Sequence, residues 1–232
     1  EATRNNALFL SFCDMLNVKE AKTIFEWFNN FNQIDGLNTK KESFSTFKLF
    51  ENDEYKKLIK EYLSALDLGF EDVLVEKKEF NPTDLPEHID NELRETLQKE
   101  LSGKFGVKVN TVHPIYDKFG KKSKERITWA MAERESEGTK KAFELSGPIN
   151  MTLLNGGVLM IDEIEAKMHP IITLNTIDMF LSKRTNPKNA QLIFATHDTN
   201  LLTYAKLRRD QINFVEKNSW EATEIFSLSD LK

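Results

Sequence analysis

Cysteine is almost missing from this chain: Cys13 stands alone among 232 residues. A single thiol excludes an internal disulfide and any multi-cysteine zinc site, and such a composition suits a reducing cytoplasm. No apolar run reaches the roughly 18 residues of a membrane span. There is no excess of positive charge either, since 32 Lys and Arg against 37 Asp and Glu give a net charge of -5. Charge alone therefore does not imply nucleic acid, although a local basic patch stays open. Internal repeats and low-complexity segments are also lacking. The opening Glu1 to Asn6 is polar and mixed in charge, unlike a signal peptide. It carries no methionine and reads like the interior of a longer protein. The length fits one large domain, or a domain with an insertion, and allows a substantial core.

What is present centres on Gly157-Val158-Leu159-Met160-Ile161-Asp162-Glu163. Four apolar residues followed by two acids read as a strand buried on both faces of a parallel sheet. Such a strand delivers its acids to the carboxyl edge, where α/β proteins bind ligands. One carboxylate there can hold Mg²⁺ and the other can polarise an attacking water. Gln191-Leu192-Ile193-Phe194-Ala195-Thr196 reads as a second buried strand, with a helix from Pro170 to Leu181 between the two. In that βαβ unit a right-handed crossover places Asp162, Glu163 and His197 at one edge.

Upstream, residues 3–16, 19–31, 43–50, 53–66 and a stretch through Leu93, Leu97 and Leu101 show helical periodicity. Residues 19–102 thus read as a charged, mainly helical block. Beyond Gly103 the pattern turns to strands at 107–112 and 127–132, with a hairpin turn near Gly120. A helix from Ser136 to about Leu154 precedes the strand at Val158. A short helix near 200–207 and strands at 212–215 and 223–226 close the chain.

Each candidate has a plainer reading. Asp162 and Glu163 could be strand-end acids facing water, but charge beside so apolar a run calls for a reason. His197 can donate a hydrogen bond to a phosphate oxygen, while Asp198 or Thr199 caps the following helix. Ser136-Glu137-Gly138-Thr139 opens a helix whose free N–H groups and dipole favour an anion. Ser136 adds a hydroxyl and Gly138 allows close approach, and the plainer alternative is an N-cap only. Glu165 and His169 do not complete a transition-metal spacing with the other acids. Arg208 and Arg209 read as a solvated helix end, Trp129 and Trp220 as packing residues, and Cys13 as buried and inert. No Gly-x-x-x-x-Gly-Lys-Ser/Thr occurs, so these residues offer a triphosphate neither cradle nor lysine. That loop either precedes Glu1, or the protein does not hydrolyse nucleotide.

The order of these motifs resembles the C-terminal half of ABC-type ATPase heads, including chromosome-maintenance and DNA-repair heads. It is most similar to the ABC-like AAA-type ATPases of abortive-infection and anti-phage systems. The similarity rests on Glu135 to Lys140, Leu145 to Ile149, Asp162 to Ala166, Met168 to Pro170, Gln191 to Leu202, Arg208 to Ile212 and Phe214 to Lys217. The resemblance implies an α/β, P-loop NTPase-like fold with a mostly parallel sheet flanked by helices. Residues 1–18 and 103–232 would form the ATPase domain and 19–102 a helical insertion.

It further implies ATP and Mg²⁺ as cofactors. Asp162 would orient the metal, Glu163 would be the catalytic base, and His197 would contact the γ-phosphate. Ser136, Gly138 and Thr139 would bind nucleotide held by the opposite subunit, in a homodimer or higher oligomer closed around ATP. Glu165 would lie in the loop facing that partner. Hydrolysis would switch a defence or DNA-related effector such as a nuclease. Nucleic acid binding stays open and no membrane is involved. The rivals are a catalytically silent scaffold that binds a protein through the helical block, and a metal nuclease on Asp162, Glu163 and Glu165.

Overall fold

The computed structural model describes residues 8–79, 90, 94–96, 98, 105–204 and 206–231. A helical pair, α1 (Phe9–Met15) and α2 (Lys19–Asn29), leads into strand β1 (Phe31–Asp35). Helices α3 (Lys40–Leu49) and α4 (Asp53–Ala65) follow, then strands β2 (Asp72–Glu79), β3 (Phe105–Tyr116) and β4 (Lys122–Ala130). A single turn of helix, α5 (Met131–Arg134), precedes the long α6 (Glu137–Asn155). Strand β5 (Val158–Asp162), helix α7 (Pro170–Leu181), strand β6 (Gln191–Phe194) and the short α8 (Leu201–Tyr204) come next. The hairpin β7 (Asn213–Lys217) and β8 (Thr223–Ser227) ends the chain.

β5 is the centre of a parallel sheet ordered β1-β5-β6. Its register sets Ile34 beside Ile161 and Asp35 beside Asp162 on one side. On the other side Ile161 lies beside Phe194. Val158, Leu159 and Ile161 are buried, as the continuous apolar run requires. β2, β3 and β4 form a separate antiparallel sheet with a register shift between Pro114 and Tyr116.

Two strands correct the reading of residues 19–102 as mainly helical. β2 pairs antiparallel with β3, and β1 is a full member of the parallel sheet. A boundary at 19–102 would therefore cut β1 away from β5. Other differences are smaller. β4 ends at Ala130, so Met131 and Ala132 open a helix, and α8 stops at Tyr204. Residues 3–7 of the first helical stretch lie outside the described residues, as does most of the stretch through Leu93, Leu97 and Leu101.

The core lies between α4, α6, α7 and the parallel sheet. Ile59, Leu63, Leu145, Ile149, Leu159, Ile161, Ile164 and Ile177 are essentially inaccessible. α6 begins where the Ser136 hydroxyl accepts from the Thr139 N–H (3.1 Å). It ends at Gly156, whose φ of 78° is the left-handed conformation that closes helices. Pro148 sits inside α6 and cannot donate to the carbonyl of Glu144. That carbonyl accepts instead from the Thr46 hydroxyl of α3 (2.8 Å). The same hydroxyl accepts from the Gly147 N–H (3.2 Å), and a Cβ on Gly147 would stand 2.4 Å from it. The Gly147-Pro148 pair thus opens a socket in α6 that Thr46 fills. The Glu144 carboxylate accepts from Thr39 and Ser43, adding two more ties between α3 and α6.

Candidate active site at the carboxyl edge of the parallel sheet

β5 and β6 run parallel and adjacent, so their carboxyl ends deliver Asp162, Glu163, Thr196 and His197 to one place. These residues border a cleft of about 1040 Å³ with Asp198 and Thr199. Asp162 is exposed and Glu163 half-buried. The imidazole of His197 is exposed and makes no hydrogen bond among the described residues. Asp198 accepts from the backbone and side chain of Asn200 (2.9 and 2.7 Å), which leads into α8.

The loop from Glu163 to His169 carries a strained backbone. Glu163 and Lys167 adopt φ of 47° and 62°, a left-handed conformation that costs a non-glycine residue about 1–3 kcal/mol. Three sets of contacts hold it. Ile164 N–H donates to the carbonyl of Ala195 (3.2 Å), tying the loop to the end of β6. The Glu165 carboxylate accepts from the Thr196 hydroxyl (2.6 Å) and from the His197 N–H (2.8 Å). Burial works to raise the Glu165 carboxyl. The bonds from Thr196 and the His197 N–H, with the nearby His197 charge, outweigh it and hold the group below the ordinary carboxylate range.

The third set comes from Lys141 on α6, a buried lysine with only 2 % exposure. Its ammonium donates to the carbonyls of Glu163 (3.3 Å), Ile164 (3.2 Å) and Ala166 (2.6 Å). Bonds to a charged group contribute about 1.5–3 kcal/mol each, enough to offset the strain at Glu163. Desolvation pulls the Lys141 ammonium down to about 8, against the opposing pull of Glu165, Glu163 and Asp35.

Gly36 completes the edge. Its N–H donates to the carbonyl of Asp162 (2.8 Å), and a Cβ there would lie 2.2 Å and 2.4 Å from the carbonyl oxygens of Asp162 and Glu163. Only glycine lets β1 end so close to the two acids.

Ser136, Gly138 and Thr139 are not brought to this cleft. Gly138 packs instead against the 163–168 loop, where a Cβ on it would stand 2.9 Å from the carbonyl of Lys167. Gly138 is thus small because the loop packs on it, a reason distinct from the approach of a ligand. The Ser136 hydroxyl is engaged as the helix cap and shares a further bond with the Thr139 hydroxyl (2.9 Å). His169 also caps a helix, accepting from the Ile171 N–H (3.3 Å).

Several placements differ from the sequence reading. Trp220 is 86 % exposed at the β7–β8 turn, outside the core, and Cys13 is half-buried on a helix with no buried residue. Lys141, Gly36 and Asp35 were missed. Lys141 follows Lys140 with no local mark of burial, and Asp35-Gly36 matches no motif. The Glu165 carboxylate bonds Thr196 and His197 of its own chain, contacts its sequence did not suggest. Behind Ser136, Glu135 accepts from Thr111 (2.5 Å) and lies 2.8 Å from His113 Nε2, which joins the antiparallel sheet to the start of α6.

Among the described residues no helix is long and apolar enough to cross a membrane, and no group of three or more His, Cys, Asp and Glu is arranged to hold a metal. No curated protein matches the chain. Residues 6–203 match the family described as "AAA domain, putative AbiEii toxin, Type IV TA system". That match spans most of the chain and agrees with the parallel sheet and its flanking helices. The protein belongs to this family of AAA domains, an ATPase-like, nucleotide-binding class built on the P-loop NTPase fold.

Proposed function

We propose that the intact protein binds ATP with Mg²⁺ along the carboxyl edge of β5 and β6 and hydrolyses it. The observation that carries this reading is the convergence of Asp162, Glu163 and His197 on one cleft at adjacent parallel strands, in a chain of the AAA family. Asp162, an exposed carboxylate, offers the hard oxygen ligand that Mg²⁺ takes, and the bound ion supplies charge neutralisation on the phosphates. Glu163 orients the attacking water and accepts its proton. His197 donates a hydrogen bond to the terminal phosphate as charge develops there.

The cradle for the triphosphate comes from a further segment of the intact protein. β6 supports this reading, since it is the outer strand of the sheet among the described residues and its Ile193 is 46 % exposed. The cleft on that side is bordered by Phe214 and Val215 of β7. Parallel sheets are ordinarily covered, and a strand leading into a phosphate-binding loop is the element that suits this place.

Ser136, Gly138 and Thr139 act on nucleotide held by a second copy. Their absence from the lining of the cleft that holds Glu163 supports a role outside their own chain's cleft. ATP then closes two copies and hydrolysis releases them, and this cycle switches an effector in defence against foreign nucleic acid. Turnover of ATP by the intact protein, with and without Mg²⁺, tests the hydrolytic reading. Mg²⁺-dependent turnover is expected, and neither turnover nor ATP binding would leave the protein-binding scaffold in its place. The Ser136→Arg variant tests the second half. It is expected to bind ATP normally and to lose ATP-dependent association, as read by light scattering. Unchanged association would contradict the action in trans.

A further inference from the structure

Among the described residues, Lys141 is the one charged side chain in the set of largest fully buried groups. A buried ammonium is costly unless it is bonded, and this one spends all three of its protons on a single loop. None of its acceptors is a carboxylate. They are the carbonyls of Glu163, Ile164 and Ala166, the backbone that carries Glu163 and Glu165. We infer that Lys141 is a positioning residue for the hydrolytic site, an internal cation that fixes the loop bearing Glu163 to the helix that begins at Ser136. This inference rests on the ATPase reading above and names a residue that the reading does not use.

The geometry joins two ends of one mechanism. Lys141 lies five residues into α6, on the same first turns that present Ser136 and Thr139. At the tip of its side chain it grips the turn that sets Glu163 at φ 47°. The same turn holds Glu165, whose carboxylate fixes the backbone of His197. One ammonium therefore links α6 to the base on β5 and, through Glu165, to the histidine after β6. A shift of α6 at its Ser136 end moves the carbonyl cage, and with it Glu163. The charged groups around the ammonium are Glu163, Glu165, Lys167 and Asp35. The first three lie on the gripped loop and Asp35 lies at the end of β1, so the whole edge is organised about this cation.

The test uses the intact protein with Lys141→Met, which keeps the length of the side chain and removes the donors, and Lys141→Gln, which retains two N–H donors. ATP affinity is measured with a fluorescent ATP analogue, and kcat and KM from steady-state turnover. For Lys141→Met the expected result is an unchanged affinity and a kcat reduced about 10- to 100-fold, the scale of a misplaced reacting group. Lys141→Gln is expected to fall between Lys141→Met and the parent. Equal kcat in all three proteins overturns the inference, as does a loss of affinity in step with kcat, or a Lys141→Gln no better than Lys141→Met. If Lys141→Met does not fold, the Lys141→Gln result decides alone by the same measures. Failure of both to fold assigns Lys141 to stability and overturns the positioning role. Absence of turnover in the parent overturns this inference together with the ATPase reading, whereas active parent and variants overturn this inference alone.

Discussion

At the scale of single residues, the edge of β5 depends on contacts between groups far apart in sequence. The Glu165 carboxyl is held below its ordinary value of 4.5 by bonds from Thr196 and His197. A carboxylate with a depressed folded value contributes stability that is full above 4.5 and is lost as pH falls through the folded value. Thr196→Val removes one of the bonds and is expected to move the acid-unfolding midpoint to higher pH. An unchanged midpoint by circular dichroism would contradict the clamp. Lys141 has the same sign at the other end of the pH scale. Its folded value near 8 lies below the ordinary 10.5, so between these the unfolded chain keeps a proton that the folded chain releases. Its contribution to stability therefore rises as pH increases through that window, which urea titrations across it will show. Gly36→Ala places a methyl group against two backbone carbonyls and is expected to cost about 1–3 kcal/mol, the range for overpacking. The acids and His197 were legible in the sequence because a strand, a charge pair and a spacing mark them locally. Lys141, Gly36 and the clamp by Glu165 were not, because what defines each is a carbonyl, an N–H or a hydroxyl brought near only by folding.

At the scale of elements, legibility follows how much of an element's cause is local. α6 was readable at its start from the Ser136 cap, and its observed end at Gly156 lies close to the expected one. α7 was readable from Pro170 at its first turn. β1 was not. Phe31-Asn32-Gln33-Ile34-Asp35 has only two apolar residues, and its strand state is set by β5, whose register it shares throughout. β2 is likewise charged over Glu76 to Glu79 and is a strand through its pairing with β3. The joint between α3 and α6 shows a similar dependence. Thr46 Oγ1 serves both the carbonyl freed by Pro148 and the N–H of Gly147. Thr46→Val keeps the shape and leaves both groups buried without a partner, which is expected to cost about 1–3 kcal/mol. A urea midpoint equal to the parent's would show that the socket contributes nothing.

At the scale of the whole molecule, a parallel sheet with β5 at its centre carries the candidate site, and the antiparallel sheet meets the start of α6 through Glu135 beside Ser136. The fold class was legible because β5 and β6 carry continuous apolar runs, whereas the extent of the sheet was not, since β1 lacks one. The central claim is that Glu163 activates water for hydrolysis of ATP at this edge. The most direct test is a single-turnover measurement on the intact protein beside its Glu163→Gln variant, with bound ATP and product resolved in time. The account predicts that the variant binds ATP as the parent does and releases phosphate about 10²- to 10⁴-fold more slowly, the usual contribution of a general base. Phosphate release at the parental rate from Glu163→Gln would contradict it.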